Sequence, residues 1–144
     1  MLAAFRMASL LVNIDVDDLE RAIDYYTRAF GLRLGRRFGG DGAELLGAEA
    51  PLYLLAKPAG SVATPAAAAT RDYRRHWTPV HLDFVVADID AAVRAARDAG
   101  ARQEGDLRTH AWGRIAQFAD PFGHGFCLLE FRGRGYDELV APSK

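Results

Sequence analysis

The chain of 144 residues has few of the residues on which several protein classes depend. Its one cysteine, Cys127, cannot form a disulfide within the chain, so we expect a reducing, cytoplasmic location. Lysine and arginine total 18 against 19 acidic residues, without a basic stripe, so no nucleic-acid partner is expected. No apolar run approaches the roughly 20 residues of a membrane-spanning helix, so no membrane partner is expected either.

Motifs for nucleophilic or phosphate chemistry are also missing. The chain has no Gly-x-Ser-x-Gly elbow, and residues 39–42 form a glycine-rich turn rather than a phosphate loop that opens a helix. Residues 1–11 are mildly apolar but lack a convincing small-residue cleavage site. We therefore expect a frayed arm and a first strand there, not a signal peptide.

An internal repeat organises the rest of the chain. Residues 11–16 alternate like a strand, Asp18 is placed to cap a helix, and an apolar stripe of helical spacing stops at Gly31. Seventy positions after the first cap, Asp88 follows the same strand pattern and precedes a second stripe that stops at Gly100. The helix-capping aspartate, the apolar stripe of the helix and the glycine that ends it recur in the same order, so the two halves are expected to fold alike.

Three strand-like segments follow each helix, so each half predicts a βαβββ module. The half-repeats cover residues 10–56 and 80–131 of one domain, and a linker rich in Ala, Pro and Thr covers residues 57–79 before a polar tail at 132–144. One module cannot bury both faces of its sheet. We expect an α+β fold, in which the modules pair into a curved mixed sheet with helices outside and central strands joined edge to edge. The linker is either a passive tether or a lid.

The repeat, with the Asp-Pro-Phe-Gly turn at residues 120–123 before a last strand, resembles the vicinal oxygen chelate superfamily. That group includes glyoxalase I, bleomycin-resistance proteins and extradiol dioxygenases. The resemblance covers residues 10–131 and implies two paired modules around a cup that holds a small molecule. It leaves the activity open, because one fold hosts several chemistries.

The enzymes of this superfamily hold a divalent metal on the first and last strands of their modules. Carried over by position, the ligands fall on Leu11, Tyr53, His81 and Cys127. Only His81 is a routine ligand, and zinc enzymes normally supply three. This departure implies a cup without metal or other cofactor. If a metal does bind, His81 is the expected ligand, with Asp83 or Asp15 as replacements.

Strand alternation predicts which polar side chains enter the cup. Asn13 and Asp15 of the first half, and His81 and Asp83 of the second, should face away from the helices. Buried polar groups need partners, so these side chains either bond to one another and to water or orient a ligand. His81 is the best catalytic candidate, as a base near neutral pH, although it can equally be a passive lining residue.

Other candidates are weaker. Trp112 is either a stacking surface at the rim of the cup or part of the core, Cys127 is a small buried apolar residue more often than a nucleophile, and His124 is expected to face solvent. The predicted ligand contacts are Asn13, Asp15, Tyr53, His81, Asp83, Trp112 and Cys127.

Three functions remain open from the sequence. The first is a module that binds a small organic molecule without metal, and the second is a metal-dependent lyase, isomerase or dioxygenase. The third is a dimerisation module without a ligand. A homodimer is expected in any case, because Tyr25 and Phe30 suggest an exposed aromatic face on the first helix.

Overall fold

The helices begin and end at the residues that the repeat singles out. In this computed structural model, which describes residues 7–141, Asp18 and Asp88 each accept a hydrogen bond from the backbone N–H three residues further on. Gly31 and Gly100 follow the last helical turns with φ values of 65° and 116°, which residues with a Cβ disfavour. Both predicted N-caps and both predicted C-terminal glycines are confirmed.

Each module has the order strand, helix and three strands. The first consists of β1 (Val12–Val16), α1 (Leu19–Phe30), β2 (Arg33–Phe38), β3 (Gly42–Leu46) and β4 (Leu52–Ala56). The second consists of β5 (Leu82–Val85), α2 (Ile89–Ala99), β6 (Arg102–His110), β7 (Gly113–Ala119) and β8 (Gly125–Phe131). A short 3-10 helix, Gly135–Leu139, lies in the segment expected to be a tail.

The strands form two four-stranded sheets of the same topology. Their orders are β1-β4-β3-β2 and β5-β8-β7-β6, with the first pair of each sheet parallel and the rest antiparallel. The predicted α+β fold of two βαβββ modules is confirmed. The expected edge-to-edge pairing of the central strands is wrong, because β1 and β5 are each the edge of a separate sheet, with a groove between them.

One face of each sheet packs under its own helix. In the first module Val16 and Leu54 are fully buried beneath α1, and in the second Leu128 and Phe118 contribute to the same continuous core. Alternate residues of the strands, such as Asn13, point away from the helix. The polar positions predicted from alternation are therefore displayed on the opposite face.

The two modules meet through aromatic rings. Phe30 of α1 stacks on Phe84 of β5 with ring centroids 3.9 Å apart, and it meets Phe126 edge-on at 5.4 Å. Such pairs add about 0.5–1.5 kcal/mol each beyond the area they bury. Tyr25 is only 1% exposed. The expected exposed aromatic face is wrong, because Tyr25 is buried and Phe30 is partly buried against Phe84 and Phe126.

A buried hydrogen bond joins the same two modules. The hydroxyl of Tyr26 on α1 donates to Oδ2 of Asp120, whose Oδ1 accepts from the backbone N–H groups of Phe122 and His124 at 2.8 and 2.9 Å. Burial, followed by the charge of Asp120, raises the pKa of Tyr26 well above its usual range. The neighbouring Tyr25 hydroxyl is buried and has no hydrogen-bond partner among residues 7–141.

The expected N-terminal arm lies mostly in residues 1–6, and these, with residues 142–144, lie outside the described part of the chain. Between residues 7 and 141, neither helix is long and apolar enough to cross a bilayer.

We predict opposite effects for two neighbouring tyrosines. Tyr26→Phe should lower the free energy of unfolding by about 1–3 kcal/mol, because Asp120 loses a buried donor. Tyr25→Phe, the matched control, should be neutral or stabilising, because it removes a buried hydroxyl that has no partner. Urea denaturation measures both, and equal losses in the two variants would contradict this account.

Candidate functional site

A groove of about 500 Å³ lies between the two modules, and we call it the inter-module groove. Strands β1 and β5 form its sides, since Asn13 and Asp15 line one side and His81 the other. Its floor is aromatic, with Tyr26 and Phe84 among the lining residues. The groove exists because neither strand edge pairs with the other, so the expected cup is an open cleft between two sheets.

Three of the predicted contact residues line this groove, namely Asn13, Asp15 and His81. Asn13 is exposed and carries its amide into the cleft. The carboxylate of Asp15 is held at 2.7 Å by Nε of Arg71, a linker residue, so its charge is already balanced. Asn13 and His81 are the polar groups of the predicted set that remain available to a ligand.

Two further predicted residues stand directly beside His81. The Nε2 atom of His81 lies 3.3 Å from Oδ1 of Asp83, and Asp83 is opposite Cys127 in the β5–β8 register. Ligand atoms of all three residues lie within 4.8 Å of one another. Burial, and then the charge of Asp83, raises the pKa of the Cys127 thiol to about 12. The group therefore offers nitrogen, oxygen and, once deprotonated, sulfur donors.

Tyr53 belongs to a different network on the first sheet. Its hydroxyl donates to Glu44 at 3.0 Å and accepts from Arg36 at 3.3 Å. The Arg36 guanidinium, the largest influence, lowers the pKa of Glu44 to about 2. Gly35 leaves room for this arrangement, since a Cβ there would lie 2.6 Å from the Glu44 carboxylate. Tyr53 does not line the inter-module groove.

Trp112 also lies outside the groove. Its ring stacks on His110 with centroids 5.1 Å apart and contacts Tyr136 of the 3-10 helix at 5.2 Å. It packs against Phe131 at the end of β8 as well. The Trp112 side chain is half-buried in this aromatic cluster, and the packing explains its position without a contact to a ligand.

The linker contributes residues to the inter-module groove that the sequence alone did not single out as site residues. We call residues 71–78 the strap, because they cross from the end of β1 to the start of β8. The His76 N–H donates to the Gly123 carbonyl at 3.0 Å, and Trp77 lies against Gly125, where a Cβ would overlap its indole ring. The strap is thus docked, and two glycines in the turn and the strand provide the flat surface for it.

His124 was expected to face solvent, and this is wrong. Its Nε2 atom lies 2.7 Å from the carbonyl oxygen of Asp15, and its Nδ1 atom lies 3.0 Å from Nε2 of His76. Both histidines line the inter-module groove. The start of β8 reaches β1 only through tertiary packing, so the local turn motif before His124 offered no signal for this contact.

Comparison with known families gives one matching domain. The family model described as a glyoxalase-like domain matches residues 11–129. An uncharacterized protein of Mycobacterium bovis is 32% identical over 148 residues, which cover 92% of this chain and 90% of that protein. An uncharacterized protein of Mycobacterium tuberculosis is also 32% identical, covering 92% of this chain and 81% of its own.

Solved structures share the architecture at low sequence identity. The fosfomycin resistance protein FosX of Mesorhizobium loti has a TM-score of 0.68 and 17% identity, covering 94% of this chain and all of that one. FosX of Listeria monocytogenes has a TM-score of 0.64 and 16% identity, covering 92% and 96%. TioX of a Micromonospora species has a TM-score of 0.65 and 22% identity, covering 88% and 100%.

These comparisons agree with the repeat, the strand order and the turn at residues 120–123. At identities this low the solved structures speak for the fold alone, whereas the family model spans most of the chain. The resemblance inferred from the sequence is confirmed, and the chain belongs to the glyoxalase-like domain family of the vicinal oxygen chelate superfamily.

Proposed function

We propose that this protein binds one small organic molecule in the inter-module groove, without a metal. The observation that supports this best is the groove itself, whose volume of about 500 Å³ lies within the 300–1,000 Å³ typical of small-molecule sites. Its own side chains leave it open, which disfavours the alternative of a dimerisation module without a ligand.

The groove lining indicates the kind of molecule that would fit. Apolar rings of Phe84 and Phe126 form part of the floor, where they favour a hydrophobic or planar ligand body. Asn13 on β1 and His81 directly before β5 both line the groove, and both offer hydrogen bonds that would orient polar groups. Among solved relatives, a FosX mutant of Listeria monocytogenes is complexed with manganese and 1S,2S-dihydroxypropylphosphonic acid, so a small polar phosphonate is a reasonable first probe.

A free, buried thiol at Cys127 suits a reducing compartment, so a cytoplasmic location is part of this proposal.

The test is a thermal-shift screen of diverse small organic molecules, started with that phosphonate. A ligand at about 100 times its Kd adds about 2.7 kcal/mol and should raise Tm by roughly 5–10 °C for a chain of this size. Asn13→Ala and His81→Ala should weaken the shift, because both remove a hydrogen-bonding group from the groove.

Trp112→Ala is the matched control for this screen, since it truncates an aromatic side chain outside the groove. Its shift should equal that of the wild-type chain. Hits whose shift is as strong in the two groove variants as in the wild type would place binding elsewhere and count against the proposal.

A second candidate, a metal-dependent lyase, isomerase or dioxygenase, is favoured by one observation. His81, Asp83 and Cys127 bring ligand atoms within 4.8 Å of one another on a single module. One nitrogen, one oxygen and one sulfur donor match the set that zinc accepts, and three protein ligands are usual at catalytic zinc. A metal held there would supply a Lewis acid to polarise a substrate oxygen.

The thiol opposes metal binding at low pH. Because the pKa of Cys127 is about 12 in the metal-free site, an ion must displace its proton to gain the sulfur ligand. Any affinity should therefore rise with pH and release about one proton for each metal bound.

Whether the protein binds a metal at His81, Asp83 and Cys127 can be tested by zinc titration and by elemental analysis of protein purified without chelator. Under the metal-free proposal, wild type and Asp83→Ala should both lack stoichiometric metal and should respond alike to added zinc. The second candidate instead predicts about one equivalent in the wild type, lost in Asp83→Ala and Cys127→Ser. His110→Ala, which removes a histidine outside the groove, should retain it.

We also propose a homodimer, on the evidence of exposed strand edges rather than of the aromatic residues of α1. Large apolar side chains are exposed beside the unpaired edges of β1 and β5, where Leu11 is 51% exposed, Val80 82% and Val85 59%. Unpaired edges with apolar neighbours are typical sites of association. Light scattering should give twice the chain mass at micromolar concentration. Val80→Lys should shift the mass toward the monomer, and a monomeric wild type would refute the proposal.

A further inference from the structure

Among residues 7–141, no lysine or arginine lines the inter-module groove. Two guanidinium groups of the strap stand beside it, and carboxylates already bind both of them. Nε of Arg71 lies 2.7 Å from Oδ2 of Asp15, and Arg75 contacts Glu104 through two nitrogens at 2.6 Å each. An anionic ligand would therefore lose its hydration in the groove without meeting a free guanidinium or ammonium group.

Carboxylates, in contrast, surround the groove. Asp15 lines it, and Oδ1 of Asp15 has no hydrogen-bond donor among residues 7–141. Behind the floor, the buried carboxylate of Asp120 receives only uncharged donors, one of which is the Tyr26 hydroxyl. On the other side, Oδ1 of Asp83 lies 3.3 Å from Nε2 of His81. Within the described chain, Asp15 alone of these three carboxylates has a guanidinium at ion-pair distance, so the fixed charge around the groove is negative on balance.

The hydroxyl groups that line the groove use their hydrogens within the protein. Tyr26 donates to the buried carboxylate behind the floor, and Thr78 donates to the carbonyl oxygen of Val80. Each hydroxyl oxygen keeps a lone pair, and a carboxylate oxygen can only accept, so these two hydroxyls and Oδ1 of Asp15 serve a ligand as acceptors. The amide of Asn13 and the free strand edges offer donors and acceptors alike. The side chains of the groove therefore favour a ligand that brings N–H or O–H donors.

The floor of the groove also suits a positive charge. The rings of Tyr26, Phe84 and Phe126 line it. The face of an aromatic ring carries partial negative charge and attracts a cation within about 6 Å of its centroid. The same rings that accept an apolar body can therefore contact an ammonium group attached to that body.

We infer that the inter-module groove selects an organic cation, namely a protonated amine on a planar or apolar body. This inference rests on the proposed function, because it names the chemical class of the molecule bound in the same groove. The ammonium N–H groups donate to Oδ1 of Asp15, and the body of the ligand packs on the aromatic floor. Carboxylates and phosphonates are disfavoured, so the phosphonate suggested above as a first probe should give no shift.

Three probes that share a phenylethyl body test this inference, namely phenethylammonium, phenethyl alcohol and hydrocinnamate, which are cationic, neutral and anionic. Each is titrated into the full chain at about pH 8, where an unperturbed imidazole is neutral. Methyl NMR resonances of Val12, Val80 and Leu82, which line the groove, report the site of binding. Phenethylammonium should bind there at least about tenfold more tightly than hydrocinnamate, with the alcohol between them, because charge-assisted hydrogen bonds are roughly twice as strong as neutral ones.

Two substitutions of opposite charge sharpen the test. Asp15→Asn removes the lining carboxylate and frees Arg71, so it should weaken phenethylammonium binding by about tenfold and strengthen hydrocinnamate binding. Arg71→Gln leaves the Asp15 carboxylate unpaired, so it should tighten phenethylammonium binding. A gain in affinity cannot come from partial unfolding, so this second variant tests the inference even if Asp15→Asn is poorly folded.

Asp90→Asn is the matched control, because it removes one carboxylate that pairs with Arg114 outside the groove. It should leave all three affinities as they are in the wild type. Hydrocinnamate that binds in the groove as tightly as phenethylammonium would overturn the inference and leave the proposed function intact. The same holds if other molecules of the wider screen bind there and phenethylammonium does not, or if Asp15→Asn and Arg71→Gln leave its affinity unchanged. If no molecule of either set perturbs the groove methyl groups, the proposed function itself fails, and the inference fails with it.

Discussion

The contact between the two modules is the constraint on which the rest of the structure depends. Among residues 7–141 no strand hydrogen bonds join the two sheets. The modules are held by the packing of α1 on α2, the Phe30–Phe84 stack and the Tyr26–Asp120 bond. Apolar packing between the modules, including the aromatic stack, is not directional. The buried hydrogen bond adds direction, because its partners tolerate little displacement in a site without water.

This mode of pairing creates the inter-module groove. If β1 and β5 paired edge to edge, their backbones would lie about 4.8 Å apart and no space would remain between them. Since the helices hold the modules together from behind, the strand edges stay separate and expose Asn13 and His81 to the cleft. The same arrangement leaves backbone groups unpaired at two strand edges and opens the groove that our functional proposal uses.

Two chemical environments meet in that groove. On one side His81 lines the groove and belongs to a cluster with Asp83 and Cys127, which brings donors of three kinds together on the second module. On the other, the strap brings His76 to His124 and Arg71 to Asp15, so the polar groups there satisfy one another. The first cluster offers ligand atoms, and the second fixes the strap at one end of the groove.

The sequence by itself determined the repeat, the helix boundaries and the βαβββ order, because caps, stop glycines and alternation act over only a few residues. It also placed Asn13, Asp15 and Asp83 on the faces of β1 and β5 that point away from the helices. It misjudged Tyr25, Phe30 and His124, and it placed Tyr53 and Trp112 in a cup that neither lines. The positions of these side chains depend on which surfaces of the two modules pack together, and on how the linker, whose composition is that of a passive tether, docks against them. Only the tertiary structure decided them, because contacts between residues 15, 76 and 124 are set by the packing of distant segments, which local patterns do not encode.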